Sequence, residues 1–184
     1  MNLDNAIQKR QSIRKFSSKK PDWRDIIECI DTARYAPMAG NIFTLKFIVV
    51  ENKEKIQKLA DAAQQPFIAK AQYVVVVCTD SSRTVNAYEE RGEKFCRQQA
   101  GAAIENFLLK IEEKGLATCW IGYFVDRMIK EALSIPENLE VEAFFPIGYE
   151  QGKTQKKRKI LLDNILYFHK YGNKRMKPLK TLDV

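Results

Sequence analysis

Arg10-Gln11-Ser12-Ile13-Arg14 is the first stretch in which residue type and spacing could do chemistry. If it is extended, Arg10, Ser12 and Arg14 project to one side and Ile13 to the other. Two guanidiniums around a hydroxyl suit a phosphate, because each arginine offers paired donors matched to phosphate oxygens. The plainer alternative is a solvated basic strand. A second candidate is Ala36-Pro37-Met38-Ala39-Gly40-Asn41, a loop whose small side chains let its backbone approach a ligand closely. Asn41 adds an amide that both donates and accepts. Here the alternative is an ordinary helix-to-strand turn.

Much familiar apparatus is missing. The single histidine, His169, lies far along the chain, so a Ser-His-Asp or Cys-His relay has poor prospects. Cys119 sits in an apolar run with no obvious base. There is no G-x-G-x-x-G after a strand, no P-loop and no G-x-S-x-G elbow. Cys29, Cys78, Cys96 and Cys119 are scattered without a C-x-x-C pair, which argues against a metal site and for buried, reduced thiols.

The element that must position these residues is Gln98–Phe124. Ile104, Phe107, Leu108 and Ile111 recur at spacings of three and four, the buried face of an amphipathic helix. Gly115 suits its left-handed terminus, and Ala117–Ile121 is long enough for one buried strand. Ala100, Gly101, Ala102 and Ala103 leave room for another helix or another subunit. Around this spine, Asp4 is expected to cap a short helix with Ile7 on its apolar side. Pro21 and Asp22 open a second helix with a stripe of Trp23, Ile26, Ile27, Ile30 and Ala33. Asn52 is expected to cap a helix to about Ala63, and a short turn Pro66–Ala71 leads into Tyr73–Thr79. That β-branched run predicts a central strand covered on both faces. Ser81–Phe95 is polar and weakly patterned, a helix or a mobile excursion. Asp126 is expected to cap a helix stopped by Pro136, and Val141–Tyr149 reads as a further strand.

A chain of 184 residues, 45% hydrophobic and 29% charged, suits one soluble domain. No apolar run approaches the roughly 20 residues of a membrane span. The start, MNLDNAIQKRQ, lacks the apolar region of a secretory signal, so a cytoplasmic address is expected. The net charge of +8 invites a nucleic-acid reading, with Lys153, Lys156, Lys157, Arg158 and Lys159 in close succession. No nucleic-acid-binding pattern accompanies it, and an anionic cofactor explains the charge at least as well. Ile160–Phe168 is too apolar to be left in water, yet the tail beyond Gly172 is too polar for a core of its own. An arm over about 160–184 that crosses onto a neighbouring subunit satisfies both facts.

Taken together, these stretches resemble the FMN-dependent nitroreductase family over most of the chain. Arg10–Arg14 is similar to the family's R-x-S-x-R clamp, and Ala36–Asn41 to its A-P-S-A-G-N loop. Gly115–Phe124, reading GLATCWIGYF, resembles G-L-G-T-C-W-I-G-G-F, and Pro146-Ile147-Gly148-Tyr149 with Arg158-Lys159 follows in order. The resemblance implies an α+β fold, a central mixed β-sheet flanked by helices, and an intertwined homodimer holding FMN at its interface. It implies a ping-pong cycle passing hydride from NAD(P)H through flavin N5 to a nitroaromatic, quinone or similar small acceptor, with no catalytic side chain.

By position, Arg10, Gln11, Ser12 and Arg14 would hold the FMN phosphate and ribityl chain. Pro37, Met38, Ala39 and Asn41 would line the flavin from the other subunit. Gln64 or Gln65 would place an amide near the ring. Ile121 and Gly122 would present backbone to it, and Lys157, Arg158 or Lys159 would add positive charge. Ile42-Phe43-Thr44-Leu45 after Asn41, Met38 for serine and Tyr123 for glycine depart from the family pattern. These changes make the surroundings more apolar and bulkier. The alternatives are a flavin-binding or flavin-consuming protein without nicotinamide turnover, and, less favoured, a basic nucleic-acid-associated domain.

Overall fold

The structure, a computed structural model, describes residues 1–156 and 158–176. Residues 1–154 form one compact unit and the chain from Gln155 onward a second. The first contains α1 (Leu3–Lys9), α2 (Trp23–Ala33), β1 (Leu45–Val50), α3 (Lys53–Ala62), β2 (Tyr73–Thr79) and α4 (Ser82–Tyr88). It continues with α5 (Glu90–Glu113), β3 (Ala117–Thr118), α6 (Asp126–Leu133) and β4 (Glu140–Gly148), and has 3-10 turns at Ala39–Asn41 and Pro66–Lys70.

The α+β class holds, with helices on both faces of one sheet. The sheet order is β1-β2-β4-β3. Where the resemblance implied a mixed sheet, every pairing among the described residues is antiparallel. The connection after β1 shows why. A single crossover helix would return a parallel strand. Here α3 is followed by a reversal at Gln64 (φ 53°), where the Gln65 N–H donates to the Ala60 carbonyl at 3.0 Å. The 3-10 turn Pro66–Lys70 then runs back along α3, so the chain re-enters the sheet at the end it left.

β2 is the centre of both packed layers and is buried along its whole length. Tyr73, Val75 and Val77 pack against α2 and α5, and Val74, Val76 and Cys78 against α3 and α6. Burying each valine is worth about 1.5–3 kcal/mol, so this one strand anchors both layers. Phe107 of α5 meets Phe145 of β4 edge-on at 5.4 Å between ring centres, seating the long helix across the sheet. The four cysteines are free and buried, as expected. Burial pushes Cys29 to about 12 and Cys78 to about 11, so neither supplies a thiolate near neutrality.

Several boundaries differ from expectation, each for a local reason. Asn2, not Asp4, caps α1, because its extended backbone lets Oδ1 accept from the Asn5 N–H at 2.9 Å. Ala6 is the buried residue of that helix, while Ile7 is half exposed. Trp23 and Ile27 are likewise half exposed, so α2 buries a narrower face than its apolar stripe. Asp126 opens α6 as its first residue and pairs with Lys130 at 3.2 Å, and left-handed Ser134 ends the helix before Pro136. The strand expected at Ala117–Ile121 keeps two ladder residues and one further bridge, Ile121 to Phe144.

The largest change concerns the spine helix, which begins at Glu90 and runs 24 residues. The polar stretch before it is α4 folded onto α5. Glu89, at φ 52° and ψ −133°, breaks the two apart. Gly92 makes their contact possible, since a Cβ there would lie 2.5 Å from the Val85 Cα.

The second unit has a 3-10 turn at Leu162–Asn164 and a closed bend, in which the Phe168 N–H donates to the Asn173 carbonyl at 2.8 Å. The Asn173 side chain returns a bond to the Phe168 carbonyl at 3.0 Å, and Lys174 sits 3.8 Å over the Tyr167 ring. Ile160, Leu161, Leu162 and Ile165 are exposed.

Candidate functional site

Residues 10–17 are extended but form no ladder strand of their own. The Ile13 N–H donates to the Thr118 carbonyl at 2.8 Å and the Ser17 N–H to the Tyr149 carbonyl at 2.9 Å. Phe16 bridges to Glu150. These bonds lay the segment along the β3 edge, at the end where β4 finishes. Ile13 and Phe16 anchor it by burial, whereas Arg10 and Ser12 are half buried and Arg14 is exposed. The expected division of Ile13 from the other three therefore holds. The Arg10 guanidinium lies 3.4 Å from Glu105, and that of Arg14 stands 6.0 Å from the centre of the Phe67 ring. Gln11 uses its side chain locally, donating to the Thr154 carbonyl at 3.3 Å.

Two further stretches converge on this edge. Phe67 stacks on Phe16 with ring centres 6.5 Å apart, which brings the Pro66–Lys70 turn, shortly after Gln64, beside Arg14. The Val125 N–H donates to the Ala62 carbonyl, tying the end of α3 to the 119–125 loop. That loop is pinned from both faces of the sheet. Trp120 packs edge-on against Phe145, and Phe124 packs at a tilt against Phe144, each at 5.5 Å between ring centres. The Ile121 N–H and C=O both bond Phe144, so the expectation that Ile121 presents its backbone to a ligand is not met. Gly122 is the exposed peptide at the tip, beside Tyr123, which is 83% exposed.

Pro37, Met38, Ala39 and Asn41 belong to a second cluster elsewhere. Their loop feeds β1, three strand spacings or about 14 Å across the sheet from β3 and at the opposite end of the strands. Gly40 and Asn41 are both left-handed, at φ 57° and 56°. Glycine at 40 also answers a space constraint, because a Cβ would lie 2.7 Å from the Tyr88 hydroxyl. A cavity of about 320 Å³ opens here, lined by Pro37, Met38 and Ala39 on one side and by Phe95, Gln98, Gln99 and Ala102 of α5 on the other. None of the arginines lines it.

Sequence reasoning did not single out Gln99, Tyr88 or Phe67. Gln99 left a readable trace, a long amide on the same helical stripe as Cys96, Ala103 and Phe107. Tyr88 and Phe67 left none, since their contacts cross between elements. Arg158 and Lys159 are exposed in the second unit, and Lys157 lies outside the described residues. Among the described residues, no group of three or more His, Cys, Asp and Glu could hold a metal, and no helix is long and apolar enough to cross a membrane.

A model of the Nitroreductase family matches residues 7–70 and 60–149, a span that takes in both clusters. This chain belongs to the nitroreductase family. Membership makes it an oxidoreductase by class. A protein assigned as an NADH dehydrogenase/NAD(P)H nitroreductase in Archaeoglobus fulgidus is 32% identical over 148 residues, covering 78% of this chain and 82% of its own. A nitroreductase family protein from Clostridium novyi NT is 30% identical, and its crystal structure superposes with a TM-score of 0.76 over 94% of this chain and 96% of that one. An FMN-dependent nitroreductase from Clostridium difficile R20291, 24% identical, shares the fold at a TM-score of 0.78 over 91% and 99% of the two chains.

Proposed function

We propose that this nitroreductase is an FMN-dependent NAD(P)H oxidoreductase acting as a homodimer, with each site shared between two copies. The carrying observation is the split of the candidate residues. Arg10, Ser12, Arg14, Gln64 and Gly122 gather at one edge of the sheet, and Pro37–Asn41 lie diagonally across it. A second copy would bring its own Pro37–Asn41 loop to the first copy's arginine edge.

The donor chemistry fits an anionic, planar guest. Arg10 and Arg14 would bind a terminal phosphate through paired N–H donors, with the Ser12 hydroxyl between them. Arg10 would exchange its contact with Glu105 for the stronger charge of the phosphate. The exposed Gly122 amide and the Gln64 side chain would orient the ring, the N–H of Gly122 donating to its reactive nitrogen. The partner's loop would close over the other face and exclude water. Arg158 and Lys159, with Lys157, would add positive charge near the phosphate or the pyrimidine edge, where it favours the reduced, anionic ring. When bound, FMN would supply hydride uptake from NAD(P)H and its transfer to a nitroaromatic, quinone or similar acceptor, the chemistry belonging to the cofactor. The exposed apolar side chains of Ile160, Leu161, Leu162 and Ile165 suit an arm that covers a neighbouring copy.

A spectrum tests this reading. Purified or FMN-loaded protein is expected to be yellow, and NADH or NADPH is expected to bleach it. Protein that cannot be loaded would overturn the flavin assignment. Yellow protein that no nicotinamide reduces would overturn the NAD(P)H step alone.

A further inference from the structure

We infer that Gln99 is a positioning residue that fastens the Pro37–Asn41 loop in its binding-competent shape by holding the excursion from Ala39 to Thr44 at both ends with one side chain. The inference rests on the flavin reading only for what the loop binds, not for what Gln99 does to it.

Gln99 is 4% exposed, a primary amide set in a helix face that is otherwise apolar or small. Both ends of that amide are engaged. Its Oε1 accepts from the Ala39 N–H at 3.1 Å, and its Nε2 donates to Thr44 Oγ1 at 2.8 Å. Ala39 opens the 3-10 turn and Thr44 immediately precedes β1, so one side chain spans the whole excursion between them. Thr44 is itself fixed, being 2% exposed and accepting from the Asp80 N–H at 3.0 Å through its carbonyl. The excursion needs such a clamp. Gly40 takes its left-handed conformation freely, but Asn41 at φ 56° is a non-glycine residue in that region, which surrounding structure must help to hold. A buried amide bonded at both ends is directional in a way that apolar packing is not. Releasing it would free the loop, leave the Ala39 N–H without its acceptor and take from the Thr44 hydroxyl its amide donor. The same face of α5 presents Phe95, Gln98 and Ala102 to the cavity, so the clamp also fixes the loop's distance from that wall.

Gln99→Met removes both bonds at nearly constant volume, and Thr44→Val removes only the hydroxyl. Hydrogen–deuterium exchange on the full chain without ligand reads the loop directly. Residues 37–44 are expected to exchange about tenfold faster in Q99M, the equivalent of two modest net hydrogen bonds. T44V is expected to give about a threefold change, and the double variant no more than Q99M alone, because both act through one side chain. β2 is expected to keep its wild-type protection, which separates positioning from general loss of stability. FMN affinity, read by quenching of flavin fluorescence, is expected to fall in the same order.

Unchanged exchange at 37–44 would overturn the inference, as would faster exchange spread equally through β2. Faster loop exchange with unchanged FMN affinity would overturn the link to binding. If the wild type takes up no FMN, the flavin reading falls and exchange alone decides the role of Gln99. Should Q99M fail to fold, the T44V result decides it.

Discussion

Arg10, Ser12 and Arg14 stand on a segment that borrows its backbone bonds from Thr118 and Tyr149, with Arg14 exposed and Arg10 half buried beside Glu105. The Pro37–Asn41 loop has the opposite construction. Its turn closes on itself, with the Asn41 N–H on the Met38 carbonyl and the Ile42 N–H on that of Ala39, and α5 bolts it down through Gln99. Anchored donors whose partners are a surface carboxylate and an aromatic ring suit the capture of a stronger anion. A strained turn held by the core suits a surface whose shape must be fixed before anything docks on it. The contrast teaches how one small chain can carry two unlike candidate surfaces, which the proposed dimer would unite in one site.

The sharpest way to break the comparison is to remove one half. Replacing both arginines, R10A with R14A, is expected to lower FMN affinity by at least about a hundredfold, since each charge-assisted bond is worth about 1.5–3 kcal/mol. Fluorescence titration checks it, and the fold is expected to survive because the segment is anchored by Ile13 and Phe16. Mixing is the next test. Subunits lacking the arginines, co-refolded with subunits carrying Asn41→Ala in a disabled loop, are expected to regain flavin in about a quarter of all sites. Half of the random pairs are mixed, and each mixed pair contains one intact site. No recovery would mean that each site lies within one copy.

Gly40→Ala addresses the bolted half. It forces an alanine into the left-handed region and against the Tyr88 hydroxyl, so a loss of about 1–3 kcal/mol is expected. At this chain length that lowers Tm by about 2–4 °C per kcal/mol. Tyr88→Phe in the same background is expected to recover part of the loss by removing the clashing oxygen.

The smallest effect concerns Glu142, the extra residue of the bulge between Val77 and Cys78 at the loop end of the sheet. Its Oε1 is buried with no hydrogen-bond partner, and burial pushes the carboxyl above its ordinary value of 4.5. The folded chain therefore binds more protons than the unfolded one, and stability falls as pH rises from about 4.5 through the raised value. Glu142→Gln is expected to raise Tm by a few degrees at pH 8 and not at pH 3, as thermal melts across that range would show.

Features carried by a short run of residues were legible beforehand. Tyr73–Thr79 reads as a doubly covered strand because its β-branched residues leave no polar face, and the structure buries all of it. Asn52 and Asp22 declare their helix starts through oxygens that can reach only the next turn. Arg10–Arg14 shows its clamp-like donors in the same local way. The start of α5 was hidden, because Glu89 in a left-handed break carries no propensity signal and the need for Gly92 arises only when α4 folds onto it. Ile121 failed as a backbone donor because its pairing with Phe144 is a contact between residues 23 positions apart.

By itself, the sequence determined the family, the α+β class, the buried central strand and the residue types at each half of the site, because periodicity and short motifs act within a few residues of chain. Tertiary structure alone decided that the sheet is antiparallel, that the two candidate clusters sit at opposite corners of it, and that Gln99 of α5 bonds both Ala39 and Thr44. Those outcomes depend on how distant segments share hydrogen bonds and space, and no local pattern records that.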